Sequence, residues 1–252
     1  VQLLADLHTH TVASGHAYST ASELASAAGA LGLELIALTD HGPSVPGGAH
    51  LWHFWNMKVL PSVLGGVRIL KGCEANPSLT EDNGIDLPDE MLASLDFVAV
   101  GLHPECGFDD GDRAKNTEAM LRVIENPLVD MITHPGNDAE YPLDRDAIVA
   151  AAVRHGVLLE LNNYSFDHRS GRHASLTTER AFAEAARDAG ALIAVGSDAH
   201  FHLLVGSFEH ALAVVEEIGF PEERIVNRSA EAVLGFLQTK RERPRLDAGG
   251  EW

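Results

Sequence analysis

Short apolar runs alternate with longer stretches of helical periodicity along the whole chain. Runs at 3–10, 33–39, 67–74, 96–103, 129–134, 157–162 and 191–198 read as strands. Two of them, Leu35-Ile36-Ala37-Leu38 and Phe97-Val98-Ala99-Val100, are apolar without interruption, the pattern of parallel strands buried on both faces. Helical patterns fill 20–31, 51–64, 116–125, 145–155 and 177–189, and two more at 207–218 and 230–237 close the series. Ser19 or Thr20 caps the first helix, with Glu23 in its first turn and Gly32 at its stop. Pro61 breaks or kinks the segment 51–64. The polar stretch 78–86 reads as an excursion after the third strand, and 241–252 as a frayed C-terminal tail. Seven strands alternating with helices predict an α/β fold built on a parallel sheet or barrel. With no linker or shift in composition, 1–240 is expected to be one domain.

The strand ends carry the chemistry. In Asp6-Leu7-His8-Thr9-His10 the two histidines are two apart, so on a strand both rings face the same way. Four further runs end in Thr39-Asp40-His41-Gly42, Gly101-Leu102-His103-Pro104, Thr133-His134-Pro135-Gly136 and Gly196-Ser197-Asp198-Ala199-His200. The strand at 67–74 adds Glu74. These are C-terminal ends, where α/β barrels place their active sites. The candidate ligands are His8, His10, His16, His41, Glu74, His103, His134, Asp198 and His200. That is more than one tetrahedral ion accepts, and it suits two or three ions sharing bridging groups, with Glu74 as the candidate bridge. Imidazole with carboxylate favours zinc, manganese or iron over magnesium. Cys73 points to the opposite face from Glu74 and reads as a small core residue.

Composition narrows the function classes. The 252 residues are 45% hydrophobic, ample for a packed core. No apolar run approaches the ~18 residues of a membrane span, no signal-peptide pattern is visible, and two cysteines make no disulfide framework. The expectation is a cytoplasmic protein without membrane contact. A formal charge of −19 argues against nucleic acid as a partner. A small anionic substrate remains compatible, because bound cations reverse the local potential. Nothing in the pattern specifies an oligomeric state.

The four motifs around His8, His41, His134 and Asp198, in that order, resemble those of the PHP (polymerase and histidinol phosphatase) family. The resemblance runs from the first strand to Arg224-Ile225-Val226-Asn227. Val12-Ala13-Ser14-Gly15-His16-Ala17-Tyr18-Ser19, His50-Leu51-Trp52-His53-Phe54 and Glu160-Leu161-Asn162-Asn163 are similar to its YcdX-like subgroup, while Pro104-Glu105-Cys106-Gly107 departs from it. The resemblance implies a distorted seven-stranded (β/α) barrel, TIM-like, with a trinuclear metal site and phosphoesterase activity. One ion would take His8, His10, Glu74 and Asp198, a second His16, His41 and His200, and a third Glu74, His103 and His134.

The expected function is a metal-dependent phosphatase acting on phosphate monoesters of small molecules. Hydroxide activated by the ions would attack phosphorus in line, with Asp198, Glu74 and His200 as catalytic residues. Three divalent ions are expected, Zn2+ foremost, with Mn2+ or Fe2+ as alternatives. Histidinol-phosphatase or protein-tyrosine-phosphatase activity would use the same chemistry; a noncatalytic metal-binding or sensor protein is the reading of another class. Candidate substrate contacts are Arg169 and Arg172, flanked by His168 and His173 after the sixth strand, and His53 at the rim beside Trp52 and Trp55. Asp6, sharing the face of His8, is the stronger candidate for a carboxylate that orients a ligand, and Asp40 the weaker.

Overall fold

The computed structural model describes residues 1–167, 170 and 176–240. Its strands are β1 (Ala5–Thr9), β2 (Leu35–Leu38), β3 (Val63–Leu64), β4 (Val67–Ala75), β5 (Phe97–Val100), β6 (Met131–Ile132), β7 (Leu158–Asn162) and β8 (Ile193–Gly196). Seven of them pair in parallel in the order β1-β2-β4-β5-β6-β7-β8, while β3 lies antiparallel on β4. The seven expected parallel strands are therefore present. The eighth is a correction to the helical reading of 51–64. There, α2 (Leu51–Asn56) gives way to a 3-10 turn, Pro61 prevents helical continuation, and Gly65-Gly66, both at positive φ, turn the chain back as a hairpin.

The remaining helices are α1 (Ala21–Ala30), α3 (Asp89–Ser94), α4 (Arg113–Glu125), α5 (Arg145–His155), α6 (Leu176–Ala189), α7 (Glu209–Glu217) and α8 (Ala230–Lys240). Local chemistry sets their ends. Thr20 and Glu23 form a reciprocal capping box on α1, Asp112 and Asp144 cap α4 and α5, and Gly156 ends α5 in the left-handed conformation. Only α3 had no counterpart among the expected helices; its six residues are too few for a periodic signal.

The parallel strands curl into a nearly closed barrel. At the upper end of the seam His10 N donates to Ala199 O at 2.9 Å, and Ala199 N to His8 O at 3.3 Å. Lower down, a side chain replaces the missing ladder. Asn227 donates from Nδ2 to Ala5 O on β1 (2.9 Å) and Val195 O on β8 (2.8 Å), and accepts from Val195 N (3.0 Å).

Inside, Leu7, Leu35, Leu70, Phe97, Met131 and Leu158 form an apolar floor on which Val233 and Leu237 of α8 pack. Outward-facing residues such as Ile36, Val98 and Val195 pack under the helices. Climbing two residues at a time, the inner row of β4 passes from Leu70 through Gly72 to Glu74, and that of β7 from Leu158 through Glu160 to Asn162. The interior thus turns from oily to polar toward the C-terminal ends, where the ligand candidates lie.

Candidate active site

Four donor atoms converge at the top of the barrel. His8 Nε2 is 3.2 Å from Glu74 Oε2 and 3.4 Å from Asp198 Oδ1. His10 Nε2 is 3.5 Å from the same glutamate oxygen and 3.3 Å from the same aspartate oxygen. Donors about 2.0–2.1 Å from a tetrahedral ion are separated by roughly 3.3 Å, so these spacings fit one zinc-sized cation. Buried polar atoms are ordinarily hydrogen-bonded. Yet His8 Nε2, His10 Nε2, His41 Nδ1, His103 Nε2 and Glu74 Oε2 are buried and make no well-aligned hydrogen bond.

Glu74 stands at the centre. Its Oε2 faces His8, His10 and His41 Nδ1 (3.0 Å), and its Oε1 faces His103 Nε2 (3.3 Å) and His134 Nε2 (2.9 Å). Around it lie three overlapping triads of possible ligand atoms: His8, His10 and Asp198; His10, His41 and His200; and His41, Glu74 and His103. His16 and His200 meet Nε2 to Nε2 at 3.0 Å, and the His16 ring stacks on that of His41. All nine expected ligands are thus brought to one mouth.

Hydrogen bonds behind these side chains fix which nitrogen faces inward. His8 Nδ1 donates to Glu160 Oε1 at 2.7 Å, His10 Nδ1 to Ser14 Oγ at 3.0 Å, His103 Nδ1 to Asn76 Oδ1 at 2.7 Å, and His200 Nδ1 to the Asp198 carbonyl at 3.0 Å. When neutral, each ring then presents a bare Nε2, the form in which histidine binds metal. The supports are themselves held. Glu160 Oε2 accepts from His134 N (2.8 Å) and Asn162 Nδ2 (3.1 Å), Ser14 donates to Asp40 (2.7 Å), and Asn76 donates to Asp86 (2.7 Å). The segment 78–86 is a short hairpin-like excursion that returns Asp86 to Asn76. Asn162 Nδ2 also donates to Asp198 Oδ2 at 3.2 Å, leaving Oδ1 toward His8 and His10. His134 and Asp198 both lie at positive φ, where non-glycine residues are strained.

The PHP domain model matches residues 6–218. The chain belongs to the PHP family. It is 45% identical to a probable phosphatase of Caldanaerobacter subterraneus subsp. tengcongensis over 96% of this chain and 94% of that one. It is 47% identical to a probable phosphatase of Edwardsiella ictaluri, over 98% of each. The structure of histidinol phosphate phosphatase from Lactococcus lactis subsp. lactis, complexed with zinc, L-histidinol and phosphate, shares the fold. Its TM-score is 0.66 at 18% identity, over 91% of this chain and 98% of that one.

Within this PHP barrel the electrostatics follow from burial and crowding. Burial, with His200 and His41 close by, holds His10 well below the ordinary histidine range. Burial likewise takes His103 down to about 3 despite the facing Glu74 carboxylate. His16 and His200 are lowered for the same first reason. His8 is the exception: burial opposes its charge, but Glu160, Glu74 and Asp198 outweigh it and raise the ring well above the ordinary range. Burial disfavours ionised Glu74, yet His8, His103 and His41 hold it well below the ordinary range.

Several expectations about the surroundings change. The Asp6 carboxylate meets the His8 backbone N (3.4 Å) and not its ring. The β1–β2 register shifts between Asp6 and Thr9, so simple alternation fails there. The Asp6 carboxylate instead joins the seam, accepting from Ser197 Oγ and from Gly206 N (2.9 Å). Glu160 supports His8 in its place. Asp40, the weaker candidate, accepts from Thr11 N, Thr11 Oγ1 and Ser14 Oγ, faces His53 Nε2 at 3.0 Å, and reaches His10 through Ser14. His53 therefore touches the ligand scaffold at 3.0 Å from Asp40, while His50 caps α2 through Trp52 N. His155 ends α5 and His210 is exposed on α7, as expected. Arg169, Arg172, His168 and His173 lie outside the described residues. Cys73 is buried in the apolar layer under the helices.

Proposed function

We propose that this PHP protein is a metal-dependent phosphatase that hydrolyses phosphate monoesters of small molecules at a trinuclear site. The observation that carries the reading is the 3.2–3.5 Å spacing of His8 Nε2, His10 Nε2, Glu74 Oε2 and Asp198 Oδ1, buried together. Names of relatives at 45% and 47% identity support the reaction class. One ion is assigned to those four residues, a second to His16, His41 and His200, and a third to Glu74, His103 and His134. The histidine–carboxylate donor set favours Zn2+, with Mn2+ or Fe2+ able to substitute. Divalent ions there would acidify a water molecule and neutralise charge on the phosphoryl group.

The chain supplies position and proton bookkeeping. Glu74, with its two oxygens aimed at different donor groups, holds neighbouring sites in fixed register. Asp198, restrained through Oδ2 by Asn162, keeps Oδ1 on the His8–His10 side, where it can orient the attacking water. His200, partly exposed beside the more exposed His16, lies on the open side of the cluster, where substrate could reach it. Hydrolysis of p-nitrophenyl phosphate by protein of measured metal content tests the reading. About three ions per chain with turnover abolished by chelation and restored by zinc or manganese is the expected result. Undiminished turnover in verified metal-free protein would overturn it.

A further inference from the structure

The three proposed metal sites are not built alike. The residues assigned to the first and third ions, His8, His10, Glu74, His103, His134 and Asp198, are all buried. Each of those two sites includes at least one carboxylate. The second, at the rim, is assigned three imidazoles and no carboxylate. Its His16 is exposed and its His200 side chain is 23% exposed. Among the described residues His16 also stands outside the three compact triads of ligand atoms.

The rim site is also mounted differently. His16 lies in the loop after β1 and His200 in the loop after β8, and the two loops are fastened to each other across the seam. Tyr18 N donates to His200 O at 2.9 Å, and His202 N to Ser19 Oγ at 2.9 Å. Ser19 Oγ lies 3.1 Å from His202 Nδ1 and bonds to it as well. Ser19 is buried although Tyr18 and Thr20 on either side are exposed, so its hydroxyl acts as the rivet of the clasp. Behind His16 the same loop rests on the loop after β2, so closely that a Cβ at Gly15 would lie 2.4 Å from Gly47 O. His16, His41 and His200 thus come from three loops that meet here. We propose that the rim site is the exchangeable one, filling last and emptying first, with Ser19 as its positioning residue. The inference rests on the trinuclear reading above. A divalent cation is held less strongly by neutral nitrogens than by buried carboxylates. Loops clasped by a few hydrogen bonds open locally at less cost than packed strands. Ligand charge and rigidity together tune cation affinity over decades. The complete centre would then form only where free zinc is ample.

The test titrates zinc-loaded protein with chelators of graded affinity and counts the ions retained at each step. One ion is expected to leave at a free-zinc level on the order of 100-fold higher than the other two. His16→Ala, at an exposed position, is expected to lose that weak step alone and keep two tight ions. Ser19→Ala is expected to weaken the same step a further tenfold or so and leave the tight steps unmoved, a split that a general loss of stability would not produce. His202→Ala repeats the Ser19 test from the less buried side of the same bond. Three steps of equal affinity, or loss of a tight ion in His16→Ala, would overturn the rim assignment. An unmoved weak step, or equal weakening of all three, in the Ser19 and His202 variants would remove Ser19 from its role. Fewer than three ions at saturating zinc would overturn the trinuclear reading and this inference with it. Three graded ions without turnover of p-nitrophenyl phosphate would overturn the phosphatase reading and leave the rim site standing.

Discussion

Glu160 Oε1 accepts a 2.7 Å hydrogen bond from His8 Nδ1, reaching from β7 to β1 across the intervening β8. The same carboxylate holds the His134 backbone and Asn162 through its other oxygen. One side chain therefore positions two of the proposed ligands and, through Asn162, a third.

Glu160→Gln cannot satisfy all of these partners. An amide offers one accepting oxygen, so either the His8 ring or the His134 N–H meets an NH2 group. Metal affinity is expected to fall about 10–100-fold, measured by competition with a chromophoric chelator. Unchanged affinity would remove Glu160 from this role.

Gly196→Ala tests the passage that the carboxylate needs. A Cβ at this position would lie 1.8 Å from Glu160 Oε1 and 3.1 Å from His8 Cβ. The crowding is expected to cost about 1–3 kcal/mol in urea unfolding and to weaken metal binding together with it. Gly235→Ala, inside α8 and in open space, serves as the control and is expected to stabilise by about 0.5–1 kcal/mol without touching metal affinity.

Asn227→Ala removes the amide that bridges the seam. Ala5 O, Val195 O and Val195 N each lose a partner. A loss of about 3 kcal/mol or more in unfolding free energy is expected, with faster amide exchange in β1 and β8. A change below 1 kcal/mol would show that the seam closes without it.

Asp40 makes stability acid-sensitive. Burial pushes its carboxyl up, but the His53 hydrogen bond and charge, His10 and Ser14 outweigh that and hold it at about 2, against 3.8 for the free group. The folded state thus favours the carboxylate. Its contribution, about 2 kcal/mol, is complete above pH 4 and disappears as pH falls through 2. Asp40→Asn is expected to flatten the unfolding free energy across that window. Asp6, raised by burial to about 6, works in the opposite sense: its carboxylate costs stability as pH rises from 4 to 6.

Metal loading should release protons. The raised His8 ring must lose its proton before Nε2 can bind a cation. Affinity is therefore expected to climb with pH until that ring is neutral, then level off. Zinc titrations at neutral pH in buffers of different ionisation enthalpy should show release of up to about one proton from this ring.

How much of this was readable beforehand depended on range. His8 and His10 declared themselves because strand alternation places both on one face, and Thr20 with Glu23 because a capping box is local. Asp6 was misassigned because a register shift in β1 breaks the alternation. Glu160 went unassigned because its partner His8 lies 152 positions away and no spacing rule links them. Ser14 and Asn76 escaped for the same reason: they act through bonds to Asp40 and Asp86 that form only after loops return to the strand ends. In 51–64 helical periodicity suggested one long helix; Pro61 and the Gly65-Gly66 turn decided otherwise.

The Asn227 bridge also dictates an order of events. Ala5 and Asn227 are 222 positions apart, so β1 waits for a segment made much later in the chain. Closure of the ring joins distant segments at a large loop-closure cost, which makes slow, late completion the expected course. The donors His8 and Asp198 stand on opposite sides of that same seam. Full metal affinity is therefore expected only once Asn227 has been made and has closed the seam.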